Sequence, residues 1–275
     1  MTGLIPCDVG PALLAALRAN AARAMFPLSN VLNHGTAGDR RSTVFHCDDP
    51  TAPRAVLATS EEGMLMPLLL DGAAFPDLRP ILAGRVPMGA VGETSAVRAA
   101  LAASGLADAP TTLASDEPHF EMDLARLRVP PGPGHLVPAT HDPVTVLNWR
   151  IAYKTELRSP PTDRETLSPQ IEEAIARDTI RLLIDDYGRP LAMTGINAQA
   201  GGVVQVGGVY VPPALRRRGL GRRVVVLHLA EMRARGIKRA TLFAANEAAA
   251  RAYAGIGFAR IGTFSIVLFA REAVA

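Results

Sequence analysis

Arg216-Arg217-Arg218-Gly219-Leu220-Gly221-Arg222 is the densest cluster of chemically capable residues in the chain. It follows an apolar, strand-like run from Val203 to Val211 and opens a helix-like run from Val224 to Arg235. Glycines let a backbone come close to a ligand, and the free amides of a helix start point at anions. Successive amides in such a turn form an anion-binding concavity, and arginine adds charge with a fork of donors that suits phosphate oxygens. Positive charge at a helix N-terminus is mildly unfavourable by the macrodipole. A bound anion therefore explains Arg216, Arg217, Arg218, Arg222 and Arg223 better than a solvated basic patch does. The chemistry expected of this turn is the holding of a pyrophosphate.

Spacing removes two common phosphate motifs. The dinucleotide fingerprint needs a third glycine where Val224 stands, and the mononucleotide loop needs Gly-Lys-Ser/Thr where the chain reads Gly221-Arg222-Arg223. The pattern Arg-x-x-Gly-x-Gly at 216–221 resembles instead the acyl-CoA pyrophosphate loop of GNAT superfamily N-acetyltransferases. Downstream, Asn246 ends a strand-like run, Ala249, Ala250 and Tyr253 follow on a helix, and Gly257-Phe258 begins the next strand. That order is similar to the second conserved segment of the same superfamily, and the resemblance covers roughly Leu136 to Phe269.

The resemblance implies an acetyl-CoA-dependent N-acetyltransferase in which a primary amine, of a small molecule or a peptide, attacks the thioester directly. Acetyl-CoA is then the cosubstrate and no metal is required. The loop residues Arg216, Arg217, Arg218, Gly219, Leu220, Gly221 and Arg222 would bind it, and Asn246 would contact its pantetheine arm. Asn246 also reads as a turn residue or helix cap.

Other roles follow from the residues themselves. Gly207-Gly208 inside a strand marks a bulge or a close backbone approach. A bulge there splays the strand from its neighbour at Arg239 to Ala245 and frees the backbone of Val209, Tyr210 and Val211 to pair with the amides of pantetheine. The Val211 amide would polarise the thioester carbonyl; the plainer reading of the two glycines is a packing bulge. Tyr253 is the expected catalytic acid, because a phenol with a pKa of about 10 stays protonated near neutrality and can supply the departing thiolate. Its plainer reading is a core aromatic. No base is assigned: Val203-Val204-Gln205-Val206 offers no carboxylate, and Glu156, Asp185, Asp186, His141 and His228 stay open. Substrate choice is expected of Trp149, Tyr153, Glu156 and Arg158 with Ser159-Pro160-Pro161. The missing base motivates a rival reading, a non-catalytic acyl-CoA-binding sensor or regulatory module. Nucleic-acid binding ranks last, since stacking aromatics are sparse near the loop.

The elements that must position these residues fall into two halves, separated by Pro130-Pro131-Gly132-Pro133-Gly134, which blocks helix and loosens the chain. The expected domains are 1–130 and 135–275. Helices are expected at 11–24, 75–83 and 95–104, a hairpin at 54–70, and strands near 88–91 and 120–127. The second half reads as helices at 144–157 and 165–179, strands at 181–186, 189–197 and 202–211, helix 220–235, strand 239–245, helix 247–254 and strand 258–269. The fold class is α/β (α+β): a GNAT-like mixed central sheet flanked by helices, with the similar element order of the halves suggesting two tandem lobes. The first lobe would be degenerate, its nearest loop being Gly84-Arg85-Val86-Pro87-Met88-Gly89, where proline removes an amide donor.

At 275 residues, 48% hydrophobic and 20% charged, the chain has ample material for a core. Two cysteines cannot build a disulfide scaffold or a four-ligand metal site, and the six histidines lack metal-ligand spacing. No run approaches the roughly 18 apolar residues of a membrane span, and the start of the chain lacks a signal-peptide core. The expectation is a cytoplasmic protein, with no nucleic-acid or membrane partner and an oligomeric state that sequence leaves open.

Overall fold

The computed structural model describes residues 3–160 and 163–270, so Pro161 lies outside the described residues. The chain forms two compact units, Met1–Glu117 with Gly262–Ala275 and Pro118–Ile261.

The first unit runs β1 (Ile5–Cys7), α1 (Pro11–Ala19), α2 (Met25–His34), β2 (Thr43–Cys47), β3 (Ala55–Ser60), β4 (Met64–Leu69), α3 (Arg79–Leu82), β5 (Gly89–Glu93) and α4 (Thr94–Ser104). Strands β1 to β4 form an antiparallel meander, and β5 joins β4 in parallel. The hairpin expected at 54–70 is β3–β4, turning at Gly63 with φ 91°. The helix expected over 75–83 shrinks to the four residues of α3. Pro76 disfavours a helical Phe75, and Gly84 at φ 74° ends the turn soon after. Strands β1 and β2 went unanticipated because each is short and carries no clear alternation. Leu57, Leu65, Leu78, Val97 and Ala100 are the buried centre of this unit.

The chain leaves α4 through β6 (Thr111–Asp123) and continues as β7 (His135–Pro138), α5 (Pro143–Glu156), α6 (Arg164–Ala176), β8 (Ile180–Ile184), β9 (Pro190–Ala200), β10 (Val203–Tyr210), α7 (Leu220–Ala234), β11 (Arg239–Phe243), α8 (Glu247–Ala254) and β12 (Ala259–Phe269). In the second unit the strand order is β7-β8-β9-β10-β11-β6, with β10 and β11 parallel and the other neighbours antiparallel. Both long helices that precede the meander start on an aspartate cap: Asp142 accepts from the Thr145 amide at 3.0 Å and Asp163 from the Thr166 amide at 2.7 Å. One sheet face packs Val204, Val206 and Leu242 against Val224, Val225 and Leu229 of α7. The opposite face packs Leu182, Met193 and Tyr210 against Val146 of α5 and Ile171 of α6.

The units divide elsewhere than at Pro130–Gly134. Strand β6 follows α4 of the first unit, yet His119 to Asp123 pair with β11 of the second. Strand β12 follows α8 of the second unit, yet Phe264 to Leu268 pair with β5 of the first. Each half thus sends its last strand into the other unit. The proline-glycine segment lies inside the second unit, where the Arg223 guanidinium on α7 donates to the carbonyls of Pro130 (2.6 Å), Gly132 (3.0 Å) and Pro133 (3.3 Å). Composition marked a break in regular structure there, and the structure ties that break down.

His228 sits on the core face of α7, 1% exposed, with neither ring nitrogen hydrogen-bonded among the described residues. Burial first, then the charges of Arg181 and Arg235 against that of Asp178, push its pKa down to about 3. Below about pH 6.5 the unfolded chain takes up a proton that the folded one refuses. Stability from this group is complete above that pH and drains away as pH falls toward 3. We expect His228→Leu to flatten the loss of stability between pH 6.5 and 4 in denaturant titrations; an unchanged slope would refute the assignment.

Among the described residues no helix is long and apolar enough to cross a membrane, and no group of three or more His, Cys, Asp or Glu is placed to hold a metal ion.

Candidate functional site

The site begins at an irregularity in β10. This strand pairs with β11 only from Val203 to Val206, and its register with β9 shifts between Gln205 and Val206 and again between Gly207 and Tyr210. Gly208 has φ 60°. A Cβ on Gly207 would strike the Asn197 amide of β9, and one on Gly208 would strike the Arg150 guanidinium of α5. The neighbours are side-chain ends that can move aside, so it is the left-handed backbone of Gly208 that favours glycine. We expect Gly208→Ala to destabilise the fold by ~1–2 kcal/mol, the cost of a left-handed alanine. A thermal melt indistinguishable from the parent would show the bulge to be unconstrained.

Where β10 leaves β11, a cleft of about 490 Å³ opens, within the range of small-molecule sites. One wall is the backbone of Gly207 to Val211, and another is α8 with Ala248, Ala249, Ala252 and Tyr253. Small side chains on that helix face leave room for an extended ligand. Tyr153 and Glu156 of α5, with the cap residue Leu157, close the third side.

Of the residues expected to bind the cosubstrate, Val209, Tyr210, Val211, Arg216, Gly221, Arg222 and Asn246 line this cleft, as does the expected acid Tyr253. The remaining four do not line it. Leu220 is buried against the α7 core, Arg217 and Arg218 are exposed, and Gly219 is the helix N-cap at φ 76°. Gly219 thus shapes the loop through its backbone. Arg223 is committed to the proline-glycine segment.

Arg216 is already engaged. Its Nε donates to the Val211 carbonyl at 2.9 Å, and its Nη2 reaches both Glu156 oxygens at 2.7 Å. The guanidinium also lies 5.8 Å from the centre of the Tyr210 ring. This pair fastens the end of α5 to the loop, and exchange of Glu156 for a phosphate would release it. Arg222 has no acidic partner among the described residues. Burial and the adjacent Glu156 carboxylate raise the Tyr210 phenol above its ordinary value, and its ring meets Trp149 at a 51° tilt with centres 5.8 Å apart.

Asn246 caps α8, its Oδ1 accepting from the Ala249 amide at 2.9 Å, while also facing the cleft. The cap and the lining residue are the same side chain. Tyr253 is half-buried with its ring edge-on to Phe258 at 6.1 Å. Among the open bases, Glu156 alone lines the cleft, and both its oxygens are held by Arg216. Asp185 closes the β8–β9 turn against Arg189, Asp186 and His141 lie away from the cleft, and His228 is in the core. Trp149 touches the site through Tyr210, whereas Arg158 is exposed beyond the end of α5. Sequence reasoning named Ala249 but missed Phe243, Ala248 and Ala252 of the cleft, and Arg150 beside it. The alanines recur at helical spacing beside Tyr253 and could have been found; Arg150 carried no local signal.

The first unit makes a different connection at the equivalent place. Between parallel strands β4 and β5 stands the four-residue α3, where β10 and β11 are joined through the fifteen-residue α7. Gly84 to Gly89 follows α3 and leads into β5, which begins at Gly89, so it opens no helix.

Residues 144–258 match the family described as the acetyltransferase (GNAT) family. No curated protein matches the chain. Among solved structures, a GNAT-family acetyltransferase from Colwellia psychrerythraea is 14% identical, with 98% of this chain and 100% of that one covered at a TM-score of 0.54. A Drosophila protein is 15% identical over 96% of this chain and 98% of that one, with a TM-score of 0.63. A tandem GNAT protein from the clavulanic acid biosynthesis pathway is 14% identical, covering 97% of each chain at a TM-score of 0.50. At such identities the likeness shows the fold, which spans both halves.

Proposed function

We propose, from the match of residues 144–258 to the acetyltransferase (GNAT) family, that the chain is an acetyl-CoA-dependent N-acetyltransferase acting on a primary amine. The observation that carries the reading is the splay of β10 from β11 after Val206, which opens a cleft between a free strand edge and the N-terminus of α7. The cleft fits the cosubstrate in three respects. Its strand edge offers amide partners to an extended pantetheine arm, the loop at α7 offers amides with Arg222, and its α8 wall is lined by small residues.

When bound, acetyl-CoA supplies an activated acetyl group and a thiolate leaving group. The protein's part is to hold that group against the strand, to polarise its carbonyl with a free amide at the bulged end of β10, since Val211 adjoins the phosphate loop, and to keep the amine within reach. The amine nitrogen bonds to the carbonyl carbon, the carbon–sulfur bond breaks, and the Tyr253 hydroxyl gives its proton to the sulfur. The acceptor ammonium must shed its protons to water or to a group that the cleft does not identify. The second unit, by this reading, carries the catalytic lobe (135–275 in the sequence division), and the first is a degenerate lobe without a cosubstrate site.

The missing base favours one other reading, an acyl-CoA sensor. Calorimetry with acetyl-CoA and thiol release across a broad amine panel separate the two. Binding with turnover of at least one amine supports the enzyme; binding with none supports the sensor.

A further inference from the structure

Charge is unevenly matched between the cleft, which Arg216 lines, and its border, where Arg150 approaches the lining residue Gly208. Arg216 is paired with Glu156, but Arg150, on the same helix and beside Gly208, has no carboxylate or hydrogen-bond acceptor among the described residues. Its guanidinium lies over the face of Tyr153, 5.4 Å from the ring centre. Burial lowers its pKa from the ordinary arginine value, as it does for Lys154 one turn on, which is pushed down to about 8 by burial and then by the charge of Arg150. Lys154 donates to the Pro160 carbonyl at 3.1 Å. A half-buried guanidinium without an anion is costly, and the cost is relieved when an anion arrives.

Position says which anion. Gly208 precedes Val211 by three residues, roughly 10 Å along an extended strand, and the α7 loop lies further still. Arg150 is therefore at the bulge, near the end of the cleft where acyl transfer would occur, and remote from the expected phosphate cradle. Its planar fork matches a carboxylate bidentately.

We infer that Arg150 determines acceptor specificity by binding a carboxylate carried on the amine, so that the acceptor is an amino acid or a related amine with a carboxylate a few bonds from its nitrogen. This rests on the acetyltransferase reading and deepens it.

The test uses the full chain with the common amino acids and their primary amides as matched acceptors. Thiol release gives KM and kcat, and calorimetry on the CoA-loaded protein gives acceptor affinity without turnover. For the parent protein we expect amino acids to be preferred over their amides. In Arg150→Met, KM for amino acids should rise at least tenfold, with KM for the amides and the affinity for acetyl-CoA unchanged; Arg150→Lys should recover part of the loss. Equal losses for both acceptor classes, a parent preference for amides, or weakened acetyl-CoA binding in Arg150→Met would each overturn the inference. If no amine is turned over, the acetyltransferase reading fails by itself. Calorimetry then decides separately whether amino acids bind through Arg150, and failure to bind overturns the assignment.

Discussion

Gly221→Asp loses acetyl-CoA affinity by at least tenfold while keeping or slightly raising its melting temperature. The two halves of that expectation come from one placement. Gly221 is in the first turn of α7, and a Cβ there would meet Val211 Cγ2 at 3.6 Å and Val209 Cγ1 at 3.9 Å, ordinary contacts. The backbone is helical, so a side chain brings no strain. An aspartate near a helix N-terminus is favourable to the helix by ~0.3–1 kcal/mol. That same carboxylate would occupy the field meant for the pyrophosphate and repel it. Tenfold in affinity is about 1.4 kcal/mol, less than the loss of one charge-assisted hydrogen bond can supply. Gly221→Ala is the control and should bind nearly as the parent does. Gly219→Asp is less clean, because a residue at φ 76° is strained whatever its charge. Unchanged affinity in folded Gly221→Asp, read by calorimetry, would remove the cleft as the cosubstrate site.

Tyr253→Phe should slow acetyl transfer by ~10²–10⁴-fold, the usual contribution of a positioned proton donor, with acetyl-CoA affinity kept. Phenylalanine retains the edge-on contact with Phe258 and takes away only the hydroxyl. The pH dependence separates this role from a structural one. A thiol has a pKa near 8.5, so a departing thiolate needs a proton less urgently above that pH, and the defect should narrow there. A defect of equal size from pH 7 to pH 9.5 would speak for packing, and no defect at all would show that another group protonates the sulfur.

Much of the second half was legible because its elements carry local marks. Helix α7 buries Leu220, Val224, Val225, Leu229 and Met232 at helical spacing, and β10 is an apolar run ended by Pro212-Pro213. The glycine pair in β10 announced the bulge because Gly208 adopts a left-handed backbone that other residues rarely take. The first half was read less well. Strand β1 has three residues and includes a proline, and α3 is a single turn between proline and glycine. Elements that short take their conformation from neighbours and leave little periodicity of their own.

What the sequence determined by itself is a glycine- and arginine-rich loop at a helix start, of the kind that suits a phosphate, and the order of elements around it. Those reside in contiguous residues: glycines that relax the backbone, amides at a helix start, arginines beside them. What the tertiary structure decided is how those residues are employed. Arg216 meets Glu156 across 60 positions and Arg223 clamps carbonyls about 90 positions away, so two arginines of one cluster are engaged within the protein. The exchange of β6 and β12 between the units, and the setting of Arg150 against Gly208, are likewise contacts between distant segments. Such contacts form only when sheets assemble, and no local pattern of residue types records them in advance.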